Sequence, residues 1–283
     1  IKAGLKSAGF SNIPVLVAST GKVYQNEQSA FKVPVLKIIN IAIYAILYAD
    51  ALQTMYSTTI VRERQRGGAK QLFDKYVNRG IEAIELNSPK TLLKTLEQAV
   101  CESNSIDILD REFTKVGVIG EIYAKYNQYG QANITEWLRS QNIEVVAPPI
   151  IDFVMQYFVN SKVNYKNGVK RSGALKYRLN PLMFSYMNKR IGKVEKIMES
   201  FRFYSPAESV FTKAEYASQV LDLSNQFGEG WNIAAEVAGY VRNGIERIVC
   251  IQPFGCIANH VVAKGITIPR PAVSQTLNTW DRP

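Results

Sequence analysis

Two of the three cysteines in this chain and its only histidine fall in one stretch, IERIVCIQPFGCIANHVVAKG, residues 245 to 265. Cysteines this close can mean metal binding, redox chemistry or a nucleophile, and they also occur as ordinary packing in a buried strand that leads into a helix. Cys250 lies inside the apolar run IERIVCIQ, where a side chain packs. Cys256 lies just beyond it, after Pro253 and Gly255, at the start of the following helix. In an open α/β sheet, ligands bind outside the carboxyl ends of the strands. A helix N-terminus favours thiolate, the form that binds metal or attacks. Cys256 is therefore either a chemically used thiol or a buried free one. His260 follows one turn later on the same helical face, as a site residue or as a hydrogen-bonded helix residue.

Other chemistries are excluded by what is missing. No CxxC is present and His260 has no second histidine beside it, so the cysteines do not form a zinc site. The single histidine leaves no two-histidine metal centre, and a Ser-His-Asp triad only through His260 itself. Three cysteines in 283 residues are too few and too odd for a secreted disulfide framework, which points to a reducing, cytoplasmic setting.

A second candidate is NQFGEGWNIAAEV, residues 225 to 237. Gly228 and Gly230 permit a tight turn at a helix start, where backbone N–H groups can hold an anion. The spacing matches neither GxGxxG nor a P-loop. Glu229, between the glycines, reads equally as a capping carboxylate. The turn after VGVIG, which lacks the dinucleotide spacing, is equally open.

The third feature is charge. The formal net charge is +10, and most of the excess sits between Ser161 and Arg202, with eleven Lys or Arg against Glu195 and Glu199. With Tyr165, Tyr177, Phe184 and Tyr186 interleaved, this segment could pair with nucleic-acid phosphates or hold the phosphates of coenzyme A. A solvated helical face with its aromatics turned to the core explains the same pattern. Nucleic acid is not the expected partner.

The elements that must position these residues alternate in texture. IKAGLKSAGF reads as a helix closed by Gly9, followed by a strand over Pro14–Ala18; a chain that begins inside a helix suggests a fragment. Apolar spacing predicts a helix from Pro34 to about Arg66. IINIAIYAILYA within it is shorter than the roughly 18 to 20 residues that span a bilayer, so a buried helix and no membrane are expected. AKQLFDKYVNRG is a helix with Gly80 as its C-terminal cap. SPKTLLKTLEQAVCESNS, which carries Cys101, is another, with Ser88 as N-cap and Pro89 at the first position. From Lys115 the pattern becomes β then α. KVGVIGEI is a strand buried on both faces, QANITEWLRSQN a helix and IEVVAPP the next strand. The run 151–203 is helical with an interruption near Asn180-Pro181. A possible strand in SQVLDL, a helix in NIAAEVAGYVRN capped by Gly244, and strand IERIVCIQ follow. The tail ITIPRPAVSQTLNTWDRP has no clear period.

The expected fold is α/β: a Rossmann-like parallel sheet with a helical insertion and a helix-rich N-terminal portion. Residues 1–114 form the helix-rich portion, as the C-terminal part of a preceding α/β domain. Residues 115–283 form an α/β domain with the basic helical insertion at about 151–205.

Three stretches together resemble a known family: YAILYADALQTMYSTTIVRERQRGGAKQLFDKY, VGVIGEIYAKYNQYGQANITEWLRSQNIEVVAP and NQFGEGWNIAAEVAGYVRNGIERIVCIQPFGCIANHVVAKG. They look like the dehydratase-like portion of the large activase-related proteins of the 2-hydroxyacyl-CoA dehydratase family, with GEGW and QPFGC-x-x-N-H the most specific parts. The resemblance implies an anaerobic iron–sulfur protein. In that family an ATP-dependent activase delivers a low-potential electron to a partner with a cysteine-held [4Fe-4S] cluster, which supports radical dehydration of a 2-hydroxyacyl-CoA or a related reduction. It implies Cys256 as an iron ligand, with Phe254, Gly255, Asn259 and His260 shaping the site without ligating. Gly228, Glu229, Gly230 and Trp231 would line the same cleft. The family's other cluster cysteines lie upstream of the matched region, and the ATPase part is not matched. The implied parent is a lyase of the dehydratase type or its ATP-dependent activator, and this fragment alone is expected to lack the cluster and to be inactive. An activase domain or subunit and an acyl-CoA are the implied partners; no catalytic residue is assigned. The alternative is an α/β domain without catalysis that binds nucleic acid through residues 161–202 or docks a partner protein in its cleft.

Overall fold

A computed structural model describes residues 2–13, 15, 35–168 and 174–266, with the side chains of 35–37 and 174–177 excepted. The chain forms two compact units, Ile1–Asn40 and Ile41–Pro283. In the first, α1 (Lys2–Ser7) ends as its sequence predicts: Gly9 takes φ +84°, and the N–H of Phe10 reaches back to the Leu5 carbonyl at 2.8 Å. The expected strand at Pro14–Ala18 and the tail 267–283 lie outside the described residues.

Helix α2 (Val35–Thr59) is followed by α3 (Gly68–Glu85) and α4 (Pro89–Ser105). The Ile38–Thr59 segment of α2 is long and apolar enough to cross a membrane by length and composition. Tyr44, Leu47, Tyr48, Ala51, Leu52 and Met55 are nevertheless buried in the protein core. The Tyr48 hydroxyl donates to the Tyr76 carbonyl at 2.6 Å, and Tyr56 packs on the Phe73 ring at 4.7 Å.

Two expectations are corrected here. The helix does not run on to Arg66: it stops at Thr59, and the polar exit turns so that the Glu63 carboxylate can accept from the N–H groups of Gly67 (2.8 Å) and Ala69 (2.7 Å), satisfying the start of α3. Gly80 is no cap, because α3 continues to Glu85. Its hydrogen takes the place where a Cβ would lie 2.5 Å from Tyr48 Cε1, so this glycine serves close helix approach. Ser88 behaves as read: its hydroxyl accepts from the Thr91 N–H at 3.2 Å, with Pro89 opening α4.

Strands β1 (Lys115–Gly120), β2 (Glu144–Val146) and β3 (Arg247–Ile251) form a parallel sheet in the order β2-β1-β3. Between β1 and β2 run α5 (Ile122–Tyr126) and α6 (Ile134–Ser140). Between β2 and β3 run α7 (Ile150–Lys166), α8 (Ala174–Met198), α9 (Val210–Ser218) and α10 (Trp231–Arg242). This is an α/β arrangement, rich in helix. Side chains alternate across the sheet. Val116, Val118, Val145, Val249 and Ile251 pack with Leu138 of α6 on one face, while Ile119, Ile248 and Tyr240 of α10 belong to the main core on the other. Gly117 makes room for α10, since a Cβ there would lie 2.5 Å from the Tyr240 ring, whose hydroxyl donates to the Val146 carbonyl at 2.9 Å.

Two further expectations differ from the structure. SQVLDL forms no strand; α9 ends at Ser218, and the N–H groups of Val220 and Leu221 both turn back to the Ala217 carbonyl. Nor does the basic insertion break at Asn180-Pro181, because α8 runs through Pro181. Pro181 lies on the exposed face, and the Asn180 amide donates to Ser161 Oγ of α7 at 2.5 Å, holding the segment in place. Phe184 is partly buried between Phe158 and Phe211, edge-on at 5.2 Å to each, whereas Tyr165 and Tyr186 are exposed.

Candidate functional site

The central strand β1 connects onward to β2 on one side, and β3 arrives later on its other side. Where strand order reverses in this way, the connections diverge and open a crevice at the carboxyl edge. Gly120 makes the exit of β1 possible. Its φ is +122°, and a Cβ there would lie 2.0 Å from the Ile251 carbonyl oxygen of β3. No side chain fits, and the contact is backbone on backbone, so neither partner can step aside. The next N–H, of Glu121, donates to that same carbonyl at 3.1 Å.

The loop after β3 carries Cys256. Phe254 is fully exposed at its tip, and Gly255 takes φ +83°. A π-helical turn, Asn259–Ala263, and α11 (Lys264–Ile266) follow. Asn259 is completely buried, and its amide lies between the two thiols. Nδ2 donates to Cys256 Sγ at 3.0 Å, and Oδ1 is 4.0 Å from Cys250 Sγ. Cys250 also accepts from Gln252 Nε2 at 2.9 Å. Burial pushes the Cys250 thiol up, as suits a packed residue. His260 is exposed, and its backbone N–H donates to the Cys256 carbonyl at 3.0 Å. Cys101 is exposed on α4.

The GEGW turn packs beside this loop, with the Gly228 Cβ position 3.7 Å from Ala258 Cβ. Gly230 is required to be glycine. It has φ +44°, and a Cβ would fall 2.1 Å from the Asn225 carbonyl, which accepts from Trp231 N–H. Trp231 is fully buried, its Nε1 donating to Asn160 Oδ1 of α7 at 2.7 Å. Glu229 is buried as well; its Oε1 accepts from the Ile122 N–H at 2.5 Å. It caps the chain leaving β1, so the capping alternative describes it. The structure thus brings Gly228, Cys256 and Asn259 to one edge, with Glu229 tying that edge to β1.

Sequence reasoning did not find the charged cluster beneath this edge. Lys125 Nζ and Glu236 Oε1 form an ion pair at 3.0 Å, with side chains only 3% and 4% exposed. Lys213 pairs with Asp152 nearby. The Asp50 carboxylate accepts from the N–H groups of Ile150 (2.8 Å) and Ile151 (3.0 Å) at the start of α7. Burial raises Asp50 to about 7 against the pull of those two N–H groups. Burial also raises Glu236, with the Lys125 charge opposing it. One signal was present in the sequence: Glu236 interrupts an otherwise apolar stretch of α10.

Chemically, the edge offers one half-buried thiol held by an amide donor, with a packed thiol behind it. Among the described residues no group of three or more His, Cys, Asp or Glu side chains is placed to hold a metal ion. Cys256 alone does not fit a complete cluster site, which takes several thiolates. No family model, curated protein or solved structure matches the chain.

Proposed function

We propose that this chain belongs to an iron–sulfur, dehydratase-like component of a 2-hydroxyacyl-CoA dehydratase and activase system, built on a Rossmann-like sheet. In this reading Cys256 supplies one thiolate to a [4Fe-4S] cluster, and the remaining thiolates come from outside these 283 residues, whose other cysteines are Cys101, exposed on α4, and the packed Cys250. An ATP-dependent activase is the electron donor, an acyl-CoA or related small molecule is the substrate, and the setting is the anaerobic cytoplasm. The observation that supports it best is Asn259 Nδ2 donating to Cys256 Sγ at 3.0 Å, at the carboxyl edge of a parallel sheet. Hydrogen bonds to cluster sulfurs are among the means by which proteins set reduction potential, and the sheet edge is where ligands gather in such folds.

The test is the iron and acid-labile sulfide content of the full-length protein purified without oxygen, beside its Cys256→Ala and Cys250→Ala variants. The proposal expects about four of each per cluster, a clear drop in Cys256→Ala and no drop in Cys250→Ala. Equal content in all three proteins, or none in any, would remove Cys256 from metal chemistry.

A further inference from the structure

At the foot of the crevice, next to the thiol edge but separate from it, lies a small cavity between the exits of β1 and β2 and the start of α10. Its floor holds Lys125, Glu229, Asn232 and Glu236; Tyr126 and Phe153 are partly exposed at its rim. Every floor residue is more than nine-tenths buried. Two floor atoms have no hydrogen-bond partner: Glu236 Oε2 and Asn232 Oδ1. The other Glu236 oxygen is taken by Lys125, and Glu229 Oε1 by the Ile122 N–H. A buried acceptor left unmade is costly, so a group occupying this space is selected for its donors.

Charge narrows the choice. Two carboxylates face one ammonium on the floor, and the neighbouring Asp152–Lys213 pair balances itself. The unmet demand is thus for a positive donor. The rim supplies aromatic rings, which attract cations, and the Lys125 ammonium already lies 5.4 Å from the centre of the Tyr126 ring. The Tyr126 hydroxyl is anchored on the Pro148 carbonyl, so that ring is held in position.

We propose that this cavity is a binding site for a small primary ammonium group, whose N–H donors are received by Glu236 Oε2 and Asn232 Oδ1 beneath the Tyr126 and Phe153 rings. The site is independent of any cluster at Cys256. An amine-bearing small molecule enters with its charged end on the floor and its carbon chain against the aromatic rim.

The test uses methylammonium chloride as probe, with sodium chloride and tetramethylammonium chloride as controls at equal ionic strength, and follows thermal unfolding of the whole chain. Methylammonium should raise the midpoint logarithmically with its concentration above its dissociation constant, by about 3 °C at ten times that constant. Tetramethylammonium has the charge but no N–H and should act like sodium. Asn232→Ala should abolish the rise while keeping the midpoint in sodium chloride close to the parent's, because Oδ1 has no protein partner to lose. Phe153→Leu, which leaves the floor intact, should weaken methylammonium binding about threefold. A rise of equal size with tetramethylammonium, no rise with methylammonium, or unchanged responses in both variants would overturn the proposal, the second outcome leaving a water-filled cavity.

Discussion

Replacing Lys125 with Met tests the charged cluster most severely. The substitution keeps most of the side-chain volume and removes the one hydrogen-bond partner that a buried carboxylate has among the described residues. Two routes are then open to Glu236. It can stay ionised without its partner, which costs about 3–5 kcal/mol for a broken buried pair. Or it can take up a proton. From its ordinary carboxyl value of 4.5, protonation at pH 7 costs roughly 3.4 kcal/mol at about 1.4 kcal/mol per pH unit. The cheaper route sets the ceiling, so the variant should lose about 3 kcal/mol at pH 7. The sign with pH follows. Glu236 in the folded variant has its proton affinity raised above the unfolded value. The stability linked to that proton is present below pH 4.5 and is lost as pH rises through the raised folded value. Relative to the parent, the deficit should shrink by up to about 1.4 kcal/mol per unit as pH falls from 7 towards 5. Urea unfolding of both proteins at several pH values measures it. A loss under about 1 kcal/mol at pH 7, or a loss that does not change with pH, would refute the reasoning.

Gly120→Ala should lower stability by about 3 kcal/mol or more, or prevent folding, because it combines left-handed backbone with a 2.0 Å approach to the Ile251 carbonyl; an unfolding midpoint within 2 °C of the parent, at about 2–4 °C per kcal/mol, would contradict that. Asp50→Asn should flatten the pH dependence of stability between about pH 4 and 7. Asp50 is raised from 3.8 to about 7, so its proton-linked stability is present at acid pH and lost as pH rises through 7; parallel profiles for parent and variant would contradict it.

The parts of the fold legible in the sequence are those with a local cause. Ser88-Pro89 opened α4 because a hydroxyl cap and a fixed φ act within one turn. β1 was legible because a strand buried on both faces leaves an unbroken apolar run. The misses have non-local causes. Gly80 and Gly117 look like punctuation or flexibility in one dimension, yet each makes room for a tyrosine from a distant helix, Tyr48 and Tyr240. Pro181 breaks helices on local grounds, but α8 is held to α7 through Asn180 and Ser161. At the candidate site, the cysteine spacing drew attention to Cys256 and the family resemblance to Asn259, two residues that a hydrogen bond joins. The Lys125–Glu236 pair stayed hidden because its partners stand 111 positions apart, and periodicity registers a buried charge only as an interruption.

The most direct measurement for the proposed function is electron paramagnetic resonance of the full-length protein, purified without oxygen and reduced with dithionite, beside Cys256→Ala and Cys250→Ala. If Cys256 holds the cluster, the parent and Cys250→Ala give an iron–sulfur signal that is lost or transformed in Cys256→Ala. An identical signal in all three proteins, or no signal in any, would contradict the assignment.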